Sequence, residues 1–158
     1  NGLTGGPDAV GELWIKSPTC MSEYIDRPED TKAVLEDGWF KTGDLARITA
    51  DGLVCIVGRK KEIILRGGYT IAAGEIEMAL AAHPDVAEAA VIGVPDREMG
   101  EEICAYVALR PNVTVDQETL VAFCRQRLSS YKYPRIMHFV AELPKNATGK
   151  IDKTGLKG

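Results

Sequence analysis

Three short segments hold the residues in this chain with the most obvious chemistry, and each joins glycine to a charged side chain. The first is Gly38-Trp39-Phe40-Lys41-Thr42-Gly43-Asp44. A carboxylate accepts two hydrogen bonds side by side, so an aspartate placed by flanking glycines suits the adjacent hydroxyls of a ribose. Loop aspartates more often satisfy turn amides, and taken singly the segment favours that plainer role. The second is Gly58-Arg59-Lys60-Lys61-Glu62-Ile63-Ile64-Leu65-Arg66-Gly67-Gly68-Tyr69. Its paired glycines permit positive φ and let a ligand approach the backbone. They form no dinucleotide fingerprint, because the later glycine of G-x-G-x-x-G is missing. Taken singly, this is a turn. The third is Pro144-Lys145-Asn146-Ala147-Thr148-Gly149-Lys150-Ile151-Asp152-Lys153. Gly149-Lys150 invites a P-loop reading, but Pro144 and Ile151 stand where that loop needs Gly and Ser or Thr. A lone lysine here is normally solvated. On a mobile tail it can also swing its ammonium into a distant site and stabilise charge developing on a phosphate.

The elements expected around these segments change character along the chain. Up to Gly58 the pattern is short strands and turns: Gly11 to Ser17 with Leu13 and Ile15 facing inward, a short helix from Pro28 to Leu35, and a break at Asp37-Gly38. A hairpin follows around Asp51-Gly52, joining Asp44–Ile48 to Leu53–Gly58. Beyond Arg59, strands alternate with longer helices. Ile63-Ile64-Leu65 is a short strand stopped by Gly67-Gly68. A helix over Ala73–Ala82 puts Ile76, Ala79 and Leu80 on one face. Strands are predicted at Val86–Val94, Cys104–Leu109 and Ile136–Val140, with a helix over Thr119–Leu128 whose start is biased by Asp116 and Glu118. A boundary near Arg59 to Lys61 divides the chain into residues 1–59 and 60–158.

Composition narrows the partners. With 158 residues, 45% of them hydrophobic, the chain can bury a core. A net charge of −4 and the absence of a basic stripe argue against nucleic-acid binding. Cys20, Cys55, Cys104 and Cys124 form no C-x-x-C pair, and His83 and His138 lie far apart, so no metal site is expected. Cys55 and Cys104 sit in apolar runs and read as small core residues. Nothing resembles a signal peptide or a membrane span, and reduced thiols in a cytoplasmic setting are expected. The opening at Asn1, in the polar stretch NGLTGGPDAVGE, reads as an interior cut.

Read together, the three segments resemble the adenylate-forming superfamily: acyl-CoA synthetases, aryl-CoA ligases, adenylation domains of peptide synthetases and beetle luciferases. Gly-Trp-x-x-Thr-Gly-Asp, Gly-Arg-x-Lys-Glu, Gly-Gly-Tyr, Glu75-Ile76-Glu77 and Pro-Lys-x-x-x-Gly-Lys-Ile occur in order, from Gly11-Glu12-Leu13 to Lys153. The resemblance implies an α+β fold, with a β-rich strip of a large ATP- and acyl-binding domain followed by a small mobile lid. It implies an AMP-forming ligase whose substrates are ATP, a fatty or aryl carboxylic acid and CoA, with Mg2+ held upstream. By position, Asp44 would bind the ribose of ATP or AMP and Arg59 the ribose or phosphate region. Lys61 would be the hinge. Gly67, Gly68 and Tyr69 would line the pantetheine tunnel. Lys150 would bridge the carboxylate and the α-phosphate. Ala73 stands where many members have Pro, and Thr70 where some have an Arg that reaches CoA, so no anchor for the CoA nucleotide is assigned. The phosphate loop and acyl pocket lie upstream in the family, so the chain is expected to be inactive alone and to form, at most, homodimers within a full enzyme. Rival readings are an adenylation domain that loads a carrier-protein thiol and a non-catalytic interaction module.

Overall fold

In a computed structural model that describes residues 9–156, the chain divides into two compact units, 1–61 and 62–158. The turn-like opening at residues 1–8 lies outside the described residues.

The first unit is built on one long strand. β1 (Val10–Ile15), β2 (Leu35–Glu36) and β4 (Val54–Arg59) all pair antiparallel with β3 (Trp39–Ile48). β1 takes one edge of β3, and β2 and β4 share the other. Helix α1 (Pro28–Val34) starts on Pro28, whose missing N–H costs nothing in a first turn. Asp37 and Gly38 turn β2 into β3 with φ of 50° and 78°. Positive φ at both central residues is what a two-residue hairpin of type I′ requires. Among the described residues of this unit, Ala46 alone is buried. Ile15, expected to face inward, is 40% exposed, and Cys55 is only half-buried, in a unit whose strands form one sheet layer.

The second unit has a core on both faces of a sheet. β7 (Val86–Asp96) and β8 (Gly100–Leu109) form a long hairpin, and β9 (Ile136–Val140) runs parallel to β8. β5 (Ile63–Arg66) and β6 (Tyr69–Ala72) form a second hairpin, joined to β8 at the single register pair Arg66–Gly100. Side chains alternate with the pleat. Ala89, Val91, Ile103, Ala105 and Val107 point to one face, where they meet Ile76 and Leu80 of α2 (Ala73–Ala81) and Leu120 and Cys124 of α3 (Gln117–Arg125). Ala90, Val94, Cys104 and Tyr106 point to the other, where Leu143, Ile151 and Leu156 of the C-terminal segment cover them. The oxygen of Asp116 accepts the Thr119 amide at 2.8 Å and caps α3.

β6 is an unpredicted strand, and other strands run past their predicted limits. β6 follows Gly67-Gly68 directly, because those glycines reverse the chain instead of ending the sheet. β8 begins at Gly100, several residues before its apolar run, because Glu101 and Glu102 are part of the ladder. The α+β class holds for the whole. Among the described residues, no helix is long and apolar enough to cross a membrane.

Candidate functional site

In the first unit, the strand that carries Asp44 is bent by its own glycine. Gly43 has φ of +72°, and the register between β1 and β3 shifts beside it. Thr42 holds the distortion: its hydroxyl donates to the Leu13 carbonyl at 2.8 Å and accepts the Asp44 amide at 3.0 Å. Bulges of this kind re-aim a side chain within a ladder. Asp44 therefore lies inside a strand instead of beginning one, and it faces Arg59 across β3 and β4. The Nε of Arg59 stands 2.7 Å from Oδ1 of Asp44. The structure thus brings two of the predicted site residues together.

Lys61 is exposed and lies in a short 3-10 turn over Lys60–Glu62, where the first unit ends. Its neighbour Lys60 is tied down instead, 2.9 Å from Glu12. The Lys60 hydrogen bond is the main reason the Glu12 carboxyl lies below its ordinary value.

Gly67 and Gly68 form the tip of the β5–β6 hairpin, with φ of +55° and +81°. Both are exposed, as is Tyr69, whose ring stacks on Tyr131 at 4.2 Å. Two carboxylates hold the hairpin onto β8. Glu101 accepts the Leu65 amide at 2.6 Å, and Glu102 binds Arg66 in bidentate fashion at 2.6 and 2.8 Å. Gly93 makes room for this, since a Cβ there would stand 2.9 Å from the Glu101 carboxylate.

The segment carrying Lys150 is a closed hairpin and not a loose tail. Lys145 and Ile151 pair as an isolated bridge, and the Lys150 carbonyl accepts the Asn146 amide at 2.8 Å. The side-chain oxygen of Asn146 accepts from the Thr148 amide, the Thr148 hydroxyl and the Lys150 amide at 3.0, 2.7 and 3.0 Å. Gly149 supplies the positive φ (78°) that closes the turn. The Lys150 side chain projects from it exposed, and its ammonium has no ion pair or hydrogen bond among the described residues.

Lys153, which the sequence did not single out, is paired where Lys150 is not. Its ammonium hydrogen-bonds Glu62 and lies 2.8 Å from Glu77. Burial opposes its charge, but the bonds to Glu62 and Glu77 outweigh burial and raise its pKa. Its only signal in the sequence was a position three residues beyond Gly149-Lys150. Among the described residues, no group of three or more His, Cys, Asp or Glu side chains is placed to hold a metal ion.

The second unit, α+β with two helices on one sheet face, is similar to the C-terminal part of solved adenylate-forming enzymes. Residues 75–150 match the family model of the AMP-binding enzyme C-terminal domain. Over 150 residues the chain is 45% identical to a long-chain-fatty-acid–CoA ligase of Bacillus subtilis (strain 168), covering 95% of this chain and 27% of that protein. Its fold matches o-succinylbenzoate CoA synthetase of Bacillus subtilis in complex with an acyl-adenylate intermediate, with a TM-score of 0.88 and 35% identity over 93% of this chain and 30% of that one. It also matches an amide bond synthetase of Marinactinospora thermotolerans, with a TM-score of 0.84 and 40% identity over 94% and 30% of the two chains. The chain therefore spans about 30% of the length of the proteins it matches.

Proposed function

We propose that this chain is the switching portion of an AMP-forming acid–thiol ligase that joins a fatty or aryl carboxylic acid to CoA. The observation that carries the reading is the Asn146-centred turn, which is rigidly bonded yet leaves the Lys150 ammonium unpaired. A cation held ready on a preorganised turn is suited to charge that appears only during reaction.

In the first half-reaction, a carboxylate oxygen of the acid attacks the α-phosphorus of ATP. The bond to the bridging oxygen of the β-phosphate breaks, and pyrophosphate leaves with that electron pair. Lys150 draws the two anions together and stabilises the charge on the α-phosphate. Asp44 receives the ribose hydroxyls, and Arg59 contacts the ribose or phosphate region. In the second half-reaction the thiol sulfur attacks the acyl carbon, AMP departs, and the thiol proton passes to solvent. Lys150 must withdraw for that step, which rotation about Lys61 accomplishes, with residues 60–158 acting as the lid. The turn at Gly67-Gly68 and the side chain of Tyr69 then line the path of the pantetheine arm.

CoA is favoured over a carrier-protein thiol because the fatty-acid relative is named as a CoA ligase. Mg2+ accompanies ATP and is held by residues outside this chain. The setting is cytoplasmic, and assembly of the intact enzyme as a homodimer is compatible with these roles.

The test uses the intact ligase. Lys150→Ala is expected to lower acyl-adenylate formation by about 10²–10³, while thioester formation from supplied acyl-adenylate persists. Gly67→Leu is expected to slow the thiol step alone. Equal loss of both half-reactions in Lys150→Ala would overturn the assignment. Pyrophosphate release across a panel of saturated fatty acids and aryl acids identifies the acid.

A further inference from the structure

Lys153 is 19% exposed at its side chain, and its ammonium lies between two carboxylates. One of them belongs to Glu62, the residue that follows Lys61. The other belongs to Glu77 on α2, whose Oε1 also accepts the Val91 amide of β7 at 2.7 Å. The cluster thus joins the start of the second unit, a helix and a central strand to the segment that leaves the Lys150 turn. Asp152 keeps that segment short and ordered by accepting the Thr154 amide and hydroxyl at 3.0 and 2.6 Å.

We propose that Lys153 is a positioning residue for Lys150, pinning the departing limb of its turn to Glu62 and Glu77 so that Lys150 moves as one body with the residue beside the hinge. This rests on the functional reading above. Packing alone does not call for a lysine here. A half-buried ammonium must be paired to be tolerated, and apolar side chains in place of all three charged groups would fill the space at no electrostatic cost. What the ion cluster adds is a defined register for the limb. The entering limb has a weaker anchor: Lys145 and Glu88 stand 2.8 Å apart but are 47% and 35% exposed, where solvent screens the attraction. Lys153 does not itself serve as the reactive cation, because both carboxylates already hold it.

The experiment compares Lys153→Met and Lys153→Arg in the intact ligase, with the acid that releases pyrophosphate fastest in the panel above. Misplacing a positioned group by about 1 Å can cost about 10²-fold, so Lys153→Met is expected to lower kcat for adenylation about 10- to 100-fold. The thioester step should stay within about threefold, since it does not use Lys150. Lys153→Arg should restore most of the rate. In a Lys150→Ala background, Lys153→Met should cost less than about twofold more, because residues that act as a unit are not additive. An unchanged adenylation rate in Lys153→Met, an equal loss in both half-reactions, or an additive loss in the double variant would each overturn the proposal. Should Lys153→Met fail to fold, Glu62→Gln keeps the shape and weakens the same pin, and the same split between half-reactions is required of it. If Lys150→Ala abolishes adenylation and Lys153→Met does not touch it, the functional reading stands and this inference fails. If Lys150→Ala is silent, the functional reading itself fails.

Discussion

Arg59 lies opposite Asp44 across two antiparallel strands, with its Nε 2.7 Å from the carboxylate Oδ1. The contact depends on the Gly43 bulge upstream, which sets the direction in which Asp44 points. Arg59 is 53% exposed and Asp44 26%, so a ligand can reach the pair from solvent. An exposed pair of this kind contributes at most about 1 kcal/mol to folding.

Asp44→Asn should therefore change stability by less than about 1 kcal/mol. In the intact ligase it should weaken ATP binding by about tenfold or more, the worth of a hydrogen bond to a charged group. Urea unfolding of the chain and the KM for ATP of the ligase measure the two effects separately. A large stability loss with no change in KM would identify Asp44 as a purely structural residue.

Gly68 isolates backbone strain from steric conflict. Its φ is +81°, and a Cβ there would meet nothing within 4 Å. Gly68→Ala should cost about 1–2 kcal/mol through the left-handed conformation alone. Gly67→Ala carries the same strain and also brings its Cβ to 3.0 Å from the sulfur of Met99. Denaturation midpoints should thus rank wild type, then Gly68→Ala, then Gly67→Ala, with Met99→Ala recovering part of the last difference.

The Arg66–Glu102 pair should give the chain an acid-sensitive component of stability. Its side chains are 10% and 12% exposed. Burial pushes the Glu102 carboxyl up, but the bonds from Arg66 and the Ile103 amide more than offset this, so its pKa lies below the ordinary 4.5. Because the folded value is the lower one, the stabilisation is present above the unfolded pKa and is lost as pH falls from about 4.5 through the folded value. Glu102→Gln should flatten this part of the stability profile below pH 5 and cost about 3 kcal/mol at neutral pH, since Arg66 stays buried without its counter-charge. Thermal melts at several pH values test both statements.

The four cysteines should separate by reactivity. Burial pushes the Cys124 thiol up to about 11 and also raises Cys104, whereas Cys20 and Cys55 are only half-buried. Thiolates are the reactive form, so a maleimide at neutral pH should label Cys20 and Cys55 first. Cys104 and Cys124 should react only on unfolding, as peptide mass spectrometry would show. Prompt labelling of Cys124 in the folded chain would contradict the packing of α3 on the sheet.

Much of the second unit was readable from local pattern. Ile76, Ala79 and Leu80 mark the inner face of α2, and β9 has its predicted limits. Asp116 stands at the start of α3, although that helix begins two residues earlier and ends three earlier than predicted. The places that were not readable share a cause. Gly67-Gly68 looks the same whether it ends a sheet or turns a hairpin, and only the pairing of Arg66 with Tyr69 decides. Glu101 and Glu102 look like a polar loop because their partners, Leu65 and Arg66, lie on a distant strand. Ile15 and Cys55 look like core residues, yet the strands of their unit form one sheet layer.

What the sequence determined by itself was the family, the order of its motifs and the faces of its helices, because these depend on residue types at short spacing. Tertiary structure alone decided which charges meet. Lys153 and Glu62 are 91 residues apart, and no periodicity connects them. Their contact exists because β5, α2 and β7 pack together where the C-terminal segment crosses them. The same holds for Asp44 and Arg59, where a bulge at Gly43 aims one side chain and the β3–β4 register supplies the other.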